Sequence, residues 1–128
     1  MRPVSNGLTA AEWNLMEVLW QDSPQSGREL VQAMEKNQSW SRSTTLTVLK
    51  RMCEKGEIDY HEENGIRVYS PLIPRDEALQ AETRSFLHRA YKGSVGMMVS
   101  AMTQKQELSK EEIRELYEIL RKAEEDAK

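Results

Sequence analysis

Three stretches of the chain open on one polar signature and continue with apolar residues at helical spacing. Thr9-x-x-Glu12, Ser26-x-x-Glu29 and Ser109-x-x-Glu112 each put a hydroxyl where a helix begins and a carboxylate three residues later. That pairing satisfies two backbone N–H groups that a first helical turn leaves without partners. The first predicted helix runs from about Ala10 to Gln21, with Trp13, Met16, Leu19 and Trp20 at helical spacing. Asp22-Ser23-Pro24 ends it, because proline disfavours helix in the residue before it. A second helix runs from Gly27 to about Lys36 and buries Leu30, Val31 and Met34. After Asn37-Gln38-Ser39 a third starts at Ser41 and ends at Gly56, a residue suited to closing a helix.

The period of the pattern then changes from helical to alternating. Ile58 to Glu63 and Ile66 to Ser70 read as two strands joined by Asn64-Gly65, since both residues of a tight hairpin turn need positive φ. A two-residue turn sets Tyr60 opposite Tyr69 and Glu62 opposite Arg67, and a slip of one residue would exchange the two faces. Pro71-Leu72-Ile73-Pro74 stops the strand and opens a fourth helix carrying Leu79, Phe86, Leu87, Ala90 and Tyr91 to about Lys92, with Asp76 and Glu77 at the positive end of its dipole. Beyond Gly93-Ser94, the residues Val95, Met98, Val99 and Met102 follow the i, i+3, i+4, i+7 rule. The last helix, Lys110 to about Glu125, aligns Ile113, Leu116, Leu120 and Ala123.

Three helices followed by a hairpin is the winged helix-turn-helix order. The expected fold is mainly α with a small β-hairpin, a winged helix over residues 1–73 and a helical dimerisation region over 74–128. The C-terminal stripes admit two readings, a self-contained helical hairpin or an interface between two copies. Three short helices over about 50 residues rarely make an independent core, which favours the second. Its interface would comprise Leu87, Tyr91, Val95, Met98, Val99, Met102, Ile113, Leu116 and Leu120.

In a helix-turn-helix the second helix of the pair enters the major groove with its N-terminal half toward the bases. Here Thr45, Val48, Leu49 and Met52 share an inward face, while Arg42, Ser43, Leu46, Thr47, Lys50 and Arg51 point away from it, with Thr44 at the border. Arg42, Lys50, Arg51 and Lys55 suit phosphates or, for arginine, guanine. Ser43, Thr44 and Thr47 offer short hydroxyls, and Leu46 suits thymine methyls. A solvated helix face explains the same residues; the capped helix before and the hairpin after favour DNA contact. Arg67 and His61 are the hairpin's cationic candidates, beside Glu62 and Glu63. Arg28, near the start of the second helix, reads equally as a phosphate contact or a surface arginine.

Composition narrows the classes. Apolar residues make up 38% and charged residues 30%, as in helix-rich globular proteins and not in disordered chains. The formal charge of −3 argues against a generic polyanion binder, so any nucleic-acid surface must be a local patch. Cys53 is the one cysteine, so no intrachain disulfide can form, and it reads as a small buried hydrophobe. The methionines Met16, Met34, Met52, Met97, Met98 and Met102 read as core filler. His61 and His88 lie in different elements, and there is no C-x-x-C, H-E-x-x-H or glycine-rich phosphate loop. No enzyme activity, metal or cofactor is expected. Residues 1–12 hold no apolar core segment and no stretch reaches membrane-spanning length, so a cytoplasmic protein without membrane insertion is expected.

The pattern Ala11-Glu12-Trp13…Leu19-Trp20, then Trp40-Ser41…Thr44…Thr47-Val48-Leu49…Arg51-Met52…Lys55-Gly56, then Tyr69-Ser70-Pro71-Leu72, resembles the penicillinase-repressor family. The likeness extends through Tyr91-Lys92-Gly93 and Leu108-Ser109…Glu112-Ile113…Leu116. It implies a homodimeric repressor on a dyad-symmetric operator, as in regulators of β-lactamase and methicillin-resistance operons. For the β-lactam branch it further implies induction by a membrane metalloprotease sensor-transducer, with the cut bond matching Ala101-Met102. The asparagine often found before that bond is absent, as are the paired Cys-x-Cys motifs of the copper-responsive branch. Ser43 and Leu46 stand where relatives often carry basic residues, which implies a different operator sequence. The alternative of another class is a winged-helix adaptor that binds protein and not DNA.

Overall fold

The computed structural model describes residues 7–105 and 107–127, in two compact units that divide between Ser85 and Phe86. The first unit holds α1 (Ala10–Gln21), β1 (Gln25–Ser26), α2 (Gly27–Gln38), α3 (Arg42–Lys55), β2 (Ile58–Glu63) and β3 (Ile66–Pro71). A fourth helix, α4 (Arg75–Tyr91), spans the division, and α5 (Val95–Thr103) and α6 (Lys110–Asp126) follow in the second unit. Among the described residues no helix is long and apolar enough to cross a membrane.

The caps form as their chemistry dictates. Thr9, Ser26 and Ser109 each accept a hydrogen bond at 3.1 Å from the backbone N–H of the glutamate three residues on, and each glutamate carboxylate accepts one from the cap's N–H. Gly56 closes α3 at φ 79°, with its own N–H on the Cys53 carbonyl and the Glu57 N–H on the Met52 carbonyl. This left-handed closure turns the chain into β2. Asn64 and Gly65 sit at φ 54° and 78°, so the hairpin turns in two residues and Tyr60 faces Tyr69 while Glu62 faces Arg67.

The sheet has three strands in the order β1-β3-β2, all antiparallel. The short β1 is not visible in the pattern of the sequence: Gln25 pairs with Tyr69 and Ser26 with Val68, so Ser26 both ends a strand and caps α2. Leu15, Met16 and Leu19 of α1, Leu30 and Met34 of α2, Val48, Leu49 and Met52 of α3, and Ile58 and Tyr69 of the sheet form one buried cluster. Each fully buried aliphatic or methionine side chain contributes about 2 kcal/mol. Val31 is only half-buried.

The two prolines Pro71 and Pro74 suggest a division after residue 73, yet the first unit continues to Ser85. Trp20 donates its indole N–H to the Ile73 carbonyl at 2.8 Å, Ile73 and Ala78 are buried, and Arg75 pairs with Glu17 at 3.0 Å. These contacts tie the start of α4 to α1. The second unit, by contrast, has no buried residue among those described.

Candidate nucleic-acid interface

Helix α3 is built to show one face and hide the other. Ser41 caps it, accepting from the Thr44 N–H at 3.1 Å and donating its hydroxyl to the Thr44 Oγ1 at 3.0 Å. Thr45 turns its hydroxyl back to the Ser41 carbonyl and is buried with Val48, Leu49 and Met52. Arg42, Ser43, Thr44, Leu46, Thr47, Lys50 and Arg51 are all exposed. The outward surface is therefore mostly hydroxyl and aliphatic in its centre, with cations at its margins.

Arg51 and Lys55 have partners inside the protein that local spacing does not reveal. The carboxylate of Glu12 in α1 is fully buried, and it accepts from the Thr9 N–H, from Lys55 Nζ at 2.8 and 3.1 Å, and from Arg51 Nε at 3.3 Å. Lys55 also reaches Glu57 at 3.1 Å. Burial pushes the Glu12 carboxyl up, but the Lys55 ammonium, the Thr9 N–H and the Arg51 charge outweigh it and hold the group below its ordinary range. Burial costs Lys55 part of its charge preference too, yet its two carboxylate partners raise it. Glu57 goes the other way: burial, joined by the neighbouring Glu12 charge, holds its carboxyl high despite Lys55. Its Oε1 is buried without a hydrogen-bond partner. Lys55, expected to contact phosphate, has its ammonium engaged by two of the protein's own carboxylates. Arg51, with about half of its side chain exposed, spends its Nε on Glu12 and keeps its outer N–H groups available.

The wing is mixed in charge. Arg67 lies over the Tyr60 ring with Cζ 3.9 Å from its centroid, and Tyr60 packs on Tyr69 at 5.9 Å. His61 pairs with Glu63 at 2.9 Å on the opposite face from Arg67. Arg28 is exposed in the first turn of α2. Cys53 is half-buried against the core, and burial pushes its thiol up. Among the described residues no group of three or more metal-ligating side chains is placed to hold an ion.

In the second unit, Leu87, Tyr91, Met98, Val99 and Leu116 are half-buried, while Val95, Met102, Ile113 and Leu120 are exposed. Tyr117, which the apolar spacing alone does not single out, lies on the same stripe of α6 and is 71% exposed. The methionines divide the same way: Met16, Met34 and Met52 fill the core of the first unit, whereas Met97 and Met102 are exposed in the second. Ala101 and Met102 are both exposed in the last turn of α5.

A family model described as penicillinase repressor matches residues 8–122. The penicillinase repressor of Bacillus licheniformis is 35% identical over 113 residues, which is 88% of this chain and 88% of that protein. The methicillin resistance regulatory protein MecI of Mammaliicoccus sciuri is 30% identical over 115 residues, 90% of this chain and 94% of that protein. Among solved structures, the monomeric form of Bacillus licheniformis BlaI in complex with the blaP half-operator is similar with a TM-score of 0.50 at 31% identity, covering 55% of this chain and 85% of that one. With its winged-helix first unit and a match that runs nearly end to end, this chain belongs to the penicillinase repressor family.

Proposed function

We propose that this chain is a transcriptional repressor that binds a dyad-symmetric operator as a homodimer in the cytoplasm, with α3 in the major groove. The strongest support is the division of α3: Thr45, Val48, Leu49 and Met52 seat it in the core while Arg42, Ser43, Thr44, Leu46, Thr47 and Lys50 stand outside. The similar Bacillus licheniformis protein was solved on a half-operator, which supports the same use of this surface. Arg51, Arg67 and Arg28 flank the reading face as phosphate contacts. The second unit supplies the dimer through the apolar stripes of α5 and α6. Two weak half-sites joined in this way gain affinity through effective concentration, provided they lie about one helical turn or a multiple apart. Repression follows from occupying a promoter; relief by a membrane metalloprotease cutting at Ala101-Met102 is what the family likeness implies, set against the absence of the asparagine often found before that bond.

A second reading, a protein-binding adaptor, draws on the acidic wing tip, where Glu62 and Glu63 are both exposed. A gel shift over a salt series, on the DNA upstream of the protein's own gene, separates the two. A repressor loses affinity linearly in log salt, with a slope near about −0.9 per phosphate neutralised. No shift at any salt concentration leaves the adaptor.

A further inference from the structure

Between α3 and the wing lies an open groove of about 370 Å³ that the reading face does not by itself explain. Leu46, Lys50, Cys53 and Glu54 line it from α3, at the i, i+4, i+7, i+8 positions of one stripe, and Tyr60, Arg67 and Tyr69 line it from the strands. We infer that this groove seats one backbone phosphate of duplex DNA between Arg67 and Lys50, with Tyr60 positioning Arg67 and Glu54 limiting the grip. This seat rests on the operator-binding reading and adds to it a site on the flank of the reading face.

The strand residues form a stack with a fixed base. Tyr69 is buried, Tyr60 leans on it with ring planes 54° apart, and the Arg67 guanidinium lies over the Tyr60 ring within hydrogen-bonding reach of the Tyr69 hydroxyl. An arginine free in solvent must give up much of its rotamer freedom when it grips a ligand. Arg67 has already done so against Tyr60, and a guanidinium stacked by its face keeps, for a phosphate fork, the edge N–H donors that the Tyr69 hydroxyl does not engage. Lys50 supplies a second cation from the opposite wall, and Leu46 gives an aliphatic surface for a sugar.

The acidic neighbours decide the occupant. Glu54 lines the groove, and Glu62 stands opposite Arg67 in the ladder. With two cations set against two carboxylates, a free phosphate ion has little to gain. A phosphate already delivered by a strand that α3 holds faces no such entry cost. Lys50 and Leu46 belong to both the reading face and the groove, so a strand leaving the major groove passes over it.

The test is a salt series of operator titrations by fluorescence anisotropy with the full chain and its variants. Arg67→Ala is expected to weaken binding about tenfold, and the slope of log affinity against log salt should become shallower by roughly one. Tyr60→Phe should keep wild-type affinity. Tyr60→Leu should weaken binding several-fold, and should have no further effect in the Arg67→Ala background. Glu54→Gln should tighten binding by roughly threefold, an outcome that a purely structural role for this exposed side chain does not produce. An uncharged methylphosphonate at the seated position should bring the wild type to or below the Arg67→Ala level, and Arg67→Ala should then cost little more. Operator binding with Arg67→Ala at an unchanged salt slope overturns the seat and leaves the repressor reading standing. Competition by inorganic phosphate alone, at concentrations too low to act through ionic strength, makes it a small-anion site and overturns the assignment to DNA. Failure of the wild type to bind any upstream DNA overturns both.

Discussion

The first and second units contain apolar residues at equally regular helical spacing, yet they dispose of them differently. In α1, α2 and α3 the stripes converge, and Leu15, Met16, Leu19, Leu30, Met34 and Met52 are wholly sealed from solvent. In α5 and α6 the stripes remain open, with Met97 59%, Tyr117 71% and Leu120 62% exposed. The same pattern therefore means two things. Where a β-hairpin and a third helix close the cluster, periodicity records a core; where helical segments stand without such a lid, it records a surface awaiting cover. In the proposed homodimer, a second copy of the chain supplies that cover.

Three perturbations probe the contrast between the units. The largest effect is expected from Glu12→Ala, which leaves Lys55 and Arg51 without their buried partner and removes the return bond of the α1 cap. Breaking a buried pair from one side costs on the order of 3 kcal/mol. The first unit should melt roughly 10 °C lower or more by circular dichroism, on the scale of roughly 4–8 °C per kcal/mol for a domain of this size. The association of the second unit should be unaffected. A melting temperature indistinguishable from wild type would show the Glu12 cluster to be ornamental.

Next comes Leu116→Asp with Leu120→Asp, aimed at the open stripe of α6. Sedimentation should give a monomer, and operator affinity should fall by about a hundredfold as effective concentration is lost. The first unit should melt as before, because neither residue contributes to its core. A persistent dimer would place the interface elsewhere.

The smallest effect is a titration. Glu57 carries a carboxyl held above its ordinary value by burial, so the folded state takes up a proton before the unfolded chain does. Its contribution to stability is fully present below the unfolded value and is lost as pH rises through the folded one. Glu57→Gln should thus stabilise the first unit at neutral pH by about 1 kcal/mol, with the gain shrinking as pH falls through the raised folded value and gone below the ordinary glutamate range. Glu12 runs in the opposite sense. Its lowered carboxyl contributes stability above the unfolded value, and the contribution fades as pH falls through the folded one. A Glu57→Gln gain that is independent of pH would detach the effect from the carboxyl.

The features legible in the sequence are those the chain encodes locally. Thr9, Ser26 and Ser109 announce their helices because a cap and its N3 glutamate are three residues apart. Asn64-Gly65 sets the hairpin register because only one turn geometry suits the pair. The inward face of α3 follows from period alone. Strand β1 is illegible because its two residues are defined by Tyr69 and Val68, far along the chain. Glu12 advertises itself as a capping residue and conceals a second task, since Arg51 and Lys55 lie 39 and 43 residues away. Lys55 reads as a free cation for the same reason. The hold of Ile73 and Ala78 on the first unit is likewise hidden behind two prolines that read as a boundary.

Whether two copies present α3 to the DNA together is read most directly by hydroxyl-radical footprinting of the DNA upstream of the gene. If they do, two half-sites related by a dyad are protected, with centres about one helical turn or a multiple of it apart. Both protections should disappear together in the Leu116→Asp, Leu120→Asp variant at concentrations that saturate the wild type. A single protected patch, or protection that survives in the monomer at the same concentration, would contradict paired presentation.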